Sequence, residues 1–253
     1  MSEKTLRICH LYPDLLNLYG DRGNILCMRR RLEWRGIDAE VTEVTVGEQA
    51  DFTQFDLFFI GGGQDFEQEV LLSDLKAGKG SEIKAAIADG KTFLTICGGY
   101  QMLGSYYRTW DGKQCDFTGA LDLYTVGSEQ RMIGNYMFTC DEADCKIVGF
   151  ENHSGKTYLG SGVKPLGKVL EGYGNNGEDG TEGARYKNVF ASYSHGCLLP
   201  KNPKLADLIL KLALERKYGK VELPPLTDEF ETAAHNYMEA LSLIHISEPT
   251  RQA

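Results

Sequence analysis

Over the first hundred residues, short runs rich in apolar and β-branched residues alternate with segments whose apolar positions recur at helical spacing. The runs at 6–11, 39–46, 56–60 and 92–96 predict strands, and the nearly continuous apolar runs ending at Ile60 and Ile96 predict strands buried on both faces. Between the first two strands, Ile25, Met28 and Leu32 fall on one side of a helix predicted over about 23–34 and ended by Gly36. A second helix, 82–88, is ended by Gly90 and returns the chain to the run at 92–96. Strand and helix in alternation predict an α/β fold, a mostly parallel sheet covered by helices. Past Tyr107 the pattern shortens. Runs such as Tyr136-Met137-Phe138 and Lys146-Ile147-Val148 predict an antiparallel extension of the same sheet between 110 and 150, and the glycine-dense, polar stretch 155–183 predicts a long loop. A strand at 188–193 follows. After it comes a helix with Asn202 at its N-cap and Pro203 in its first turn, burying Leu205, Leu208, Ile209 and Leu212 and stopped by Gly219. A last helix begins near Thr227, with Asp228 and Glu229 at its positive end.

The 253 residues are enough for one large core, and we expect one domain over 1–240. The stretch Leu-Ser-Leu-Ile-His-Ile-Ser-Glu-Pro-Thr-Arg from Leu241 resembles translated sequencing-adapter sequence. Residues 241–253 are therefore expected to be a non-native tail, and His245 leaves the search for catalytic groups. A net charge of −9 argues against nucleic acid or an anionic membrane as a direct partner. The first residues lack the apolar core of a signal peptide, and no run approaches the roughly 18 apolar residues of a membrane span, so a cytoplasmic location is expected. Seven cysteines, without a Cys-x-x-Cys pair, fit neither a disulfide framework nor a zinc site.

One cysteine stands apart. In Lys91-Thr92-Phe93-Leu94-Thr95-Ile96-Cys97-Gly98-Gly99-Tyr100-Gln101 an apolar strand delivers Cys97 into two glycines at the start of a helix. Such a strand-to-helix turn exposes a nucleophile at its crest, beside free N–H groups whose positive potential favours thiolate. A base must accompany it. His195, in Tyr193-Ser194-His195-Gly196, follows a predicted strand and would arrive on the same carboxyl-end edge of a parallel sheet. His153 competes for the role; His10 is explained by packing, and His235 is expected on the solvent side of a helix. The turn Ile60-Gly61-Gly62-Gly63-Gln64-Asp65 supplies backbone amides that, with Gly98, could receive an oxyanion. Two other motifs fail on context: Gly172-Tyr173-Gly174-Asn175-Asn176-Gly177 opens no helix, and Gly149 to Thr157 has one residue too many for a phosphate loop.

Together the Gly-Gly-Gly turn, the Cys-Gly-Gly-Tyr-Gln elbow, Glu151-Asn152-His153-Ser154-Gly155 and the late Tyr-Ser-His-Gly resemble glutamine amidotransferases of the cobyric acid synthase type. Tyr19-Gly20-Asp21-Arg22-Gly23-Asn24, Asn176-Gly177-Glu178-Asp179-Gly180-Thr181-Glu182-Gly183 and Leu199-Pro200-Lys201-Asn202-Pro203 narrow the resemblance to the glutaminase subunits of lipid II isoglutaminyl synthases. It implies a three-layer, flavodoxin-like sheet of the class I amidotransferase kind. It also implies hydrolysis of L-glutamine through a Cys97–His195 dyad and a thioester, without cofactor or metal. By carry-over Arg131 holds the substrate, and Gly62, Gly63, Gly98 and Gln101 line its site. Ammonia would pass to a MurT-like Mur-ligase-family subunit in a heterodimer, which amidates the D-glutamate α-carboxylate of lipid II, so this chain would touch neither nucleic acid nor membrane. Another amidotransferase subunit of the same type, or a non-catalytic scaffold, are the alternatives. Where many amidotransferases carry a carboxylate two residues after the histidine, this chain has Cys197, which leaves the group that orients His195 unassigned.

Overall fold

The computed structural model describes residues 4–63 and 71–247, with side chains through Ser242; Gln64 and Asp65 of the glycine turn lie outside the described residues. The apolar runs form β1 (Thr5–Leu11), β2 (Asp38–Val44), β3 (Leu57–Ile60) and β4 (Thr92–Ile96). Every residue of β3 and β4 is buried, as continuous apolar runs require in a sheet covered on both faces. The first helix, α1 (Arg22–Glu33), buries Ile25, Met28 and Leu32, and α2 (Gly80–Ala88) leads into β4. Immediately after β4, a single turn of helix, α3 (Gly98–Gln101), begins at the cysteine elbow.

The middle of the chain departs from the sequence expectation. Strands β5 (Tyr106–Arg108), β6 (Gln114–Asp116), β7 (Leu123–Cys140), β8 (Cys145–Leu159), β9 (Gly167–Glu171) and β10 (Thr181–Glu182) form a second sheet, in the order β10-β9-β7-β5-β6 with β8 paired to β7. They do not extend the first one. The reason is an occupied edge: β12 (Val189–Ser192) pairs parallel with β4, and β11 (Ala184–Tyr186) closes that side antiparallel. The first sheet thus runs β11-β12-β4-β3-β1-β2, and its parallel strands follow the flavodoxin-like order. The short runs of the middle region merge into the long β7–β8 hairpin, broken by a bulge between Gly127 and Met132.

Nor is 155–183 a single loop, since β8 continues to Leu159 and β9 and β10 follow. Its polar residues are bonded internally. The buried Glu151 carboxylate accepts from the amides of Tyr173 and Gly174 at 2.7 and 2.9 Å, and Asn175 Nδ2 donates to Gly183 O at 2.9 Å. The Gly149–Gly155 segment is strand, which disposes of the phosphate-loop pattern.

Helix α4 (Pro203–Tyr218) buries Leu205, Ala206, Ile209, Leu210, Ala213 and Leu214, while Leu208 and Leu212 are only half-buried. Asn202 precedes it but does not cap it. Its side chain instead accepts from Val148 N at 3.0 Å and donates to Val148 O and Leu198 O, tying α4 to β8. The last helix, α5 (Glu229–Ser247), is held at its start by Asp228, which shares the buried Arg31 guanidinium with Asp207 at 2.7–2.9 Å. Arg31→Ala would take the counter-charge from Asp228 and leave Asp207 with Arg35 alone, at 2.7 Å, and breaking a buried pair costs about 3–5 kcal/mol. Urea denaturation should show a loss of that order, with α4 and α5 released together.

Between the two sheets lies a buried acid. Glu182 accepts from Ser192 Oγ at 2.7 Å, Tyr193 N at 2.9 Å and Tyr136 OH at 3.0 Å. Burial raises its pKa to about 7, against these hydrogen bonds and with help from the charge of Glu151. The folded state therefore holds a proton that the unfolded chain releases near 4.5. Its contribution to stability is complete below that value and is lost as pH rises through 7. Relative to wild type, Glu182→Gln should gain up to about 1.4 kcal/mol per pH unit between pH 5 and 7, measured by chemical denaturation at each pH.

Candidate active site

Cys97 ends β4 with φ 49° and ψ −106°, a left-handed conformation costly for a residue with a Cβ. Neighbouring bonds hold it there: its amide donates to Ser192 O at 2.9 Å, and Gly99 N donates to Gly61 O at 3.1 Å. A Cβ at Gly99 would sit 2.7 Å from Ile60 O, so glycine is what lets α3 begin this close to the β3 turn. One strand away, β12 delivers His195, whose amide donates to Phe150 O of β8 at 2.7 Å and so bridges the two sheets. Parallel pairing of Ser192 with Ile96 brings both strand ends to the same edge, where ligands bind in open α/β sheets.

The three groups of the site converge on Gly62. A Cβ there would lie 2.5 Å from His195 Cε1, 3.1 Å from Cys97 Cβ and 3.2 Å from Asp21 Oδ2. Asp21 is the orienting acid that the sequence left unassigned. It comes from the turn between β1 and α1, is fully buried, and stands 3.3–3.4 Å from His195 Nδ1 while also accepting from Gly62 N at 2.8 Å. That contact assigns the proton of Nδ1 to the carboxylate side and turns Nε2 toward the sulfur. Nε2 is buried with no conventional hydrogen-bond partner among the described residues; its remaining interaction is with Cys97. Burial alone would lower the His195 pKa. The thiolate charge of Cys97 and the bonds to Asp21 and Cys97 outweigh that, raising it to about 10. At neutral pH the imidazole is therefore held protonated beside the sulfur.

The motif that carries Asp21 is legible once its contacts are known. Gly23 leaves room for the Cys197 side chain, whose Sγ donates to Gly20 O at 2.9 Å, and Asn24 Oδ1 accepts from Leu199 N at 2.9 Å. Asp, Gly and Asn in 21–24 thus each secure the loop after His195. Sequence spacing gave no hint of it, because Asp21 and His195 are 174 residues apart.

The remaining expected residues divide. The Gly62 amide is committed to Asp21 and cannot receive an oxyanion, whereas the amides of Gly63 and of Gly98, at the first position of α3, carry no backbone partner among the described residues. Gln101 is buried and its Nε2 donates to Tyr193 OH at 3.0 Å, fastening α3 to the segment before His195. Arg131, exposed in the bulge of β7, uses Nε on Asn152 Oδ1. His153 is stacked on Tyr193 at 3.6 Å, with Nδ1 2.8 Å from Gly155 O and Nε2 3.7 Å from Glu151; it supports the second sheet and is not set against Cys97. His10 is buried in the sheet with its pKa lowered to about 4 by burial and then by Arg22, and His235 is half-buried with Nδ1 at 2.8 Å from Lys201 O instead of facing solvent. Chemically, the arrangement offers a sulfur nucleophile, an acid and base oriented by a buried carboxylate, and two amides for a developing oxyanion.

Comparison with known proteins agrees with that chemistry. The chain is 44% identical over 229 residues to the lipid II isoglutaminyl synthase (glutamine-hydrolyzing) subunit GatD of Staphylococcus aureus, an alignment covering 90% of this chain and 93% of that one. It is 43% identical over 225 residues to the subunit of the same name from Streptococcus pneumoniae, covering 88% and 86%. A solved glutamine amidotransferase from Thermotoga maritima shares the fold at TM-score 0.53 and 15% identity, over 95% of this chain and 97% of the other. Residues 7–203 match the CobB/CobQ-like glutamine amidotransferase domain, and the chain belongs to that family.

Proposed function

We propose that this chain is the glutaminase subunit of a lipid II isoglutaminyl synthase, with a single catalytic domain over residues 1–240 and Cys97 and His195 as its catalytic residues. The observation that carries the reading is the convergence of Cys97, His195 and Asp21 on Gly62 at the carboxyl edge of the sheet. The near full-length similarity to the two GatD subunits supports the choice of lipid II over another acceptor.

Cys97 Sγ attacks the side-chain amide carbon of L-glutamine, and the carbonyl oxygen becomes an oxyanion between the Gly63 and Gly98 amides. His195 gives its Nε2 proton to the departing nitrogen, so ammonia leaves and a thioester remains. Water then attacks the thioester with its proton passing back to His195, the C–S bond breaks, and glutamate leaves with Cys97 and the protonated imidazole restored. Asp21 keeps the ring in the productive tautomer throughout. Arg131 holds the glutamine α-carboxylate through its two Nη groups, which are without partners among the described residues; a planar guanidinium suits a carboxylate bidentately. The ammonia passes to a MurT-like Mur-ligase-family partner that contributes ATP chemistry and lipid II contact. No helix among the described residues is long and apolar enough to cross a membrane, and the acidic surface fits a cytoplasmic subunit whose partner meets the lipid.

Co-expression with the ligase-like partner and assay of glutamate release, with mass analysis of lipid II for amidated D-glutamate, tests the reading. Cys97→Ala should abolish both products while the complex still assembles; persisting glutamate release would remove Cys97 from the mechanism. In the same variant the His195 resonance, followed by NMR titration, should fall from about 10 because the thiolate charge is gone. Asp21→Asn should lower kcat by about 10²–10⁴. It should also move the alkaline limb of the kcat profile to lower pH, since losing the carboxylate lets His195 deprotonate earlier.

A further inference from the structure

Two side chains beside the site have no part in the mechanism so far. Tyr19 precedes Asp21 in the same turn and adopts φ 54°, a left-handed backbone unusual for an aromatic residue. Its ring lies 4.9 Å from that of His195, tilted by 59°, and 6.0 Å from Phe150. One turn thus grips the imidazole twice, with the Asp21 carboxylate at Nδ1 and the Tyr19 ring against the imidazole. At its other end, the Tyr19 hydroxyl accepts a hydrogen bond from Asn152 Nδ2, and Asn152 Oδ1 accepts from Arg131 Nε. Asn152 is only 9% exposed, so its amide is fixed between these two partners, carbonyl toward the arginine and NH₂ toward the tyrosine.

Three contacts therefore run without a break from the guanidinium to the imidazole. Arg131 is exposed on a bulge and has no anion of its own among the described residues; what aims its Nη groups is the bond to Asn152. Asn152 is in turn fixed by a tyrosine that also confines His195. We propose that Tyr19 and Asn152 are positioning residues that couple the glutamine-carboxylate site at Arg131 to the placement of His195 over Cys97. This inference rests on the glutaminase reading. Substrate that anchors to Arg131 tightens the chain and confines the base, whereas an amide lacking the α-carboxylate leaves both loose.

The assembled complex of this chain with its ligase-like partner is the material for the test. Tyr19→Phe keeps the ring on His195 and deletes the hydroxyl; Asn152→Ala deletes the middle of the chain. Each should raise KM for glutamine about tenfold and lower kcat by a smaller factor. Combining the two should do little more than either alone, because they break one path. Tyr19→Ala should instead lower kcat and shift the alkaline limb of its pH profile. Iodoacetamide, which alkylates Cys97 without needing a carboxylate, should react at wild-type rate with Tyr19→Phe, while inactivation by 6-diazo-5-oxo-L-norleucine slows. Wild-type KM in both Tyr19→Phe and Asn152→Ala would overturn the coupling, as would parallel losses in KM, kcat, iodoacetamide rate and thermal stability, which indicate a structural role. Failure of the underlying reading looks different: the wild-type complex would then release no glutamate from glutamine.

Discussion

A buried imidazole between a carboxylate and a cysteine sulfur is the constraint around which this molecule is arranged. His195 is inaccessible to solvent, and burial on its own would strip its proton. Asp21 on one side and Cys97 on the other reverse that outcome, at the cost of confining three polar groups in the space that a single Cβ on Gly62 would fill. Much of the local architecture serves this packing. Gly99 lets α3 touch the β3 turn, Gly61 leaves room for the backbone of Leu16, and a left-handed Cys97 aims the sulfur. A two-pronged turn at Tyr19 and Asp21 closes over the ring.

The second sheet makes the first one catalytic. A flavodoxin-like sheet alone brings Cys97 and the end of β12 to one edge, but His195 is held by the carbonyl of Phe150, and Arg131 and Asn152 project from β7 and β8. The long hairpin also shields the polar interior, where Glu182, Tyr136, Ser192 and Tyr193 interlock beneath the histidine segment. Rigidity on that side and, in the proposed reading, substrate binding at the bulge on the other are complementary demands on one hairpin, and the irregularity between Gly127 and Met132 separates them.

The contact of a buried, protonated His195 with Cys97 has a chemical consequence for how the proposed complex would divide its labour. Nucleophile, base and orienting carboxylate already meet within this chain, so in the proposed reaction control over glutamine consumption acts on geometry: on how firmly Arg131 and the base are joined, or on the oxyanion amides. Ammonia loses its nucleophilicity once protonated in water. A glutaminase therefore gains from releasing ammonia beside its acceptor, which is a physical reason for the complex proposed above.

The parallel sheet, the elbow at Cys97 and the candidate status of His195 were all legible from residues 6–101 and 188–196, because buried parallel strands and strand-to-helix turns leave local signatures in apolar runs and glycines. Long-range pairing leaves none. The second sheet, the internal bonding of the polar 155–183 stretch and the Arg31 ion cluster depended on which edge was already occupied and which charges met across the fold. Asp21 is the sharpest case: it sits within a recognisable motif, yet its role rests on a contact with a residue 174 positions away. Local sequence determined where a nucleophile could stand and which turns could expose it. Only the tertiary structure decided which carboxylate orients the base and which amides remain free, because those are properties of distances that chain order does not encode.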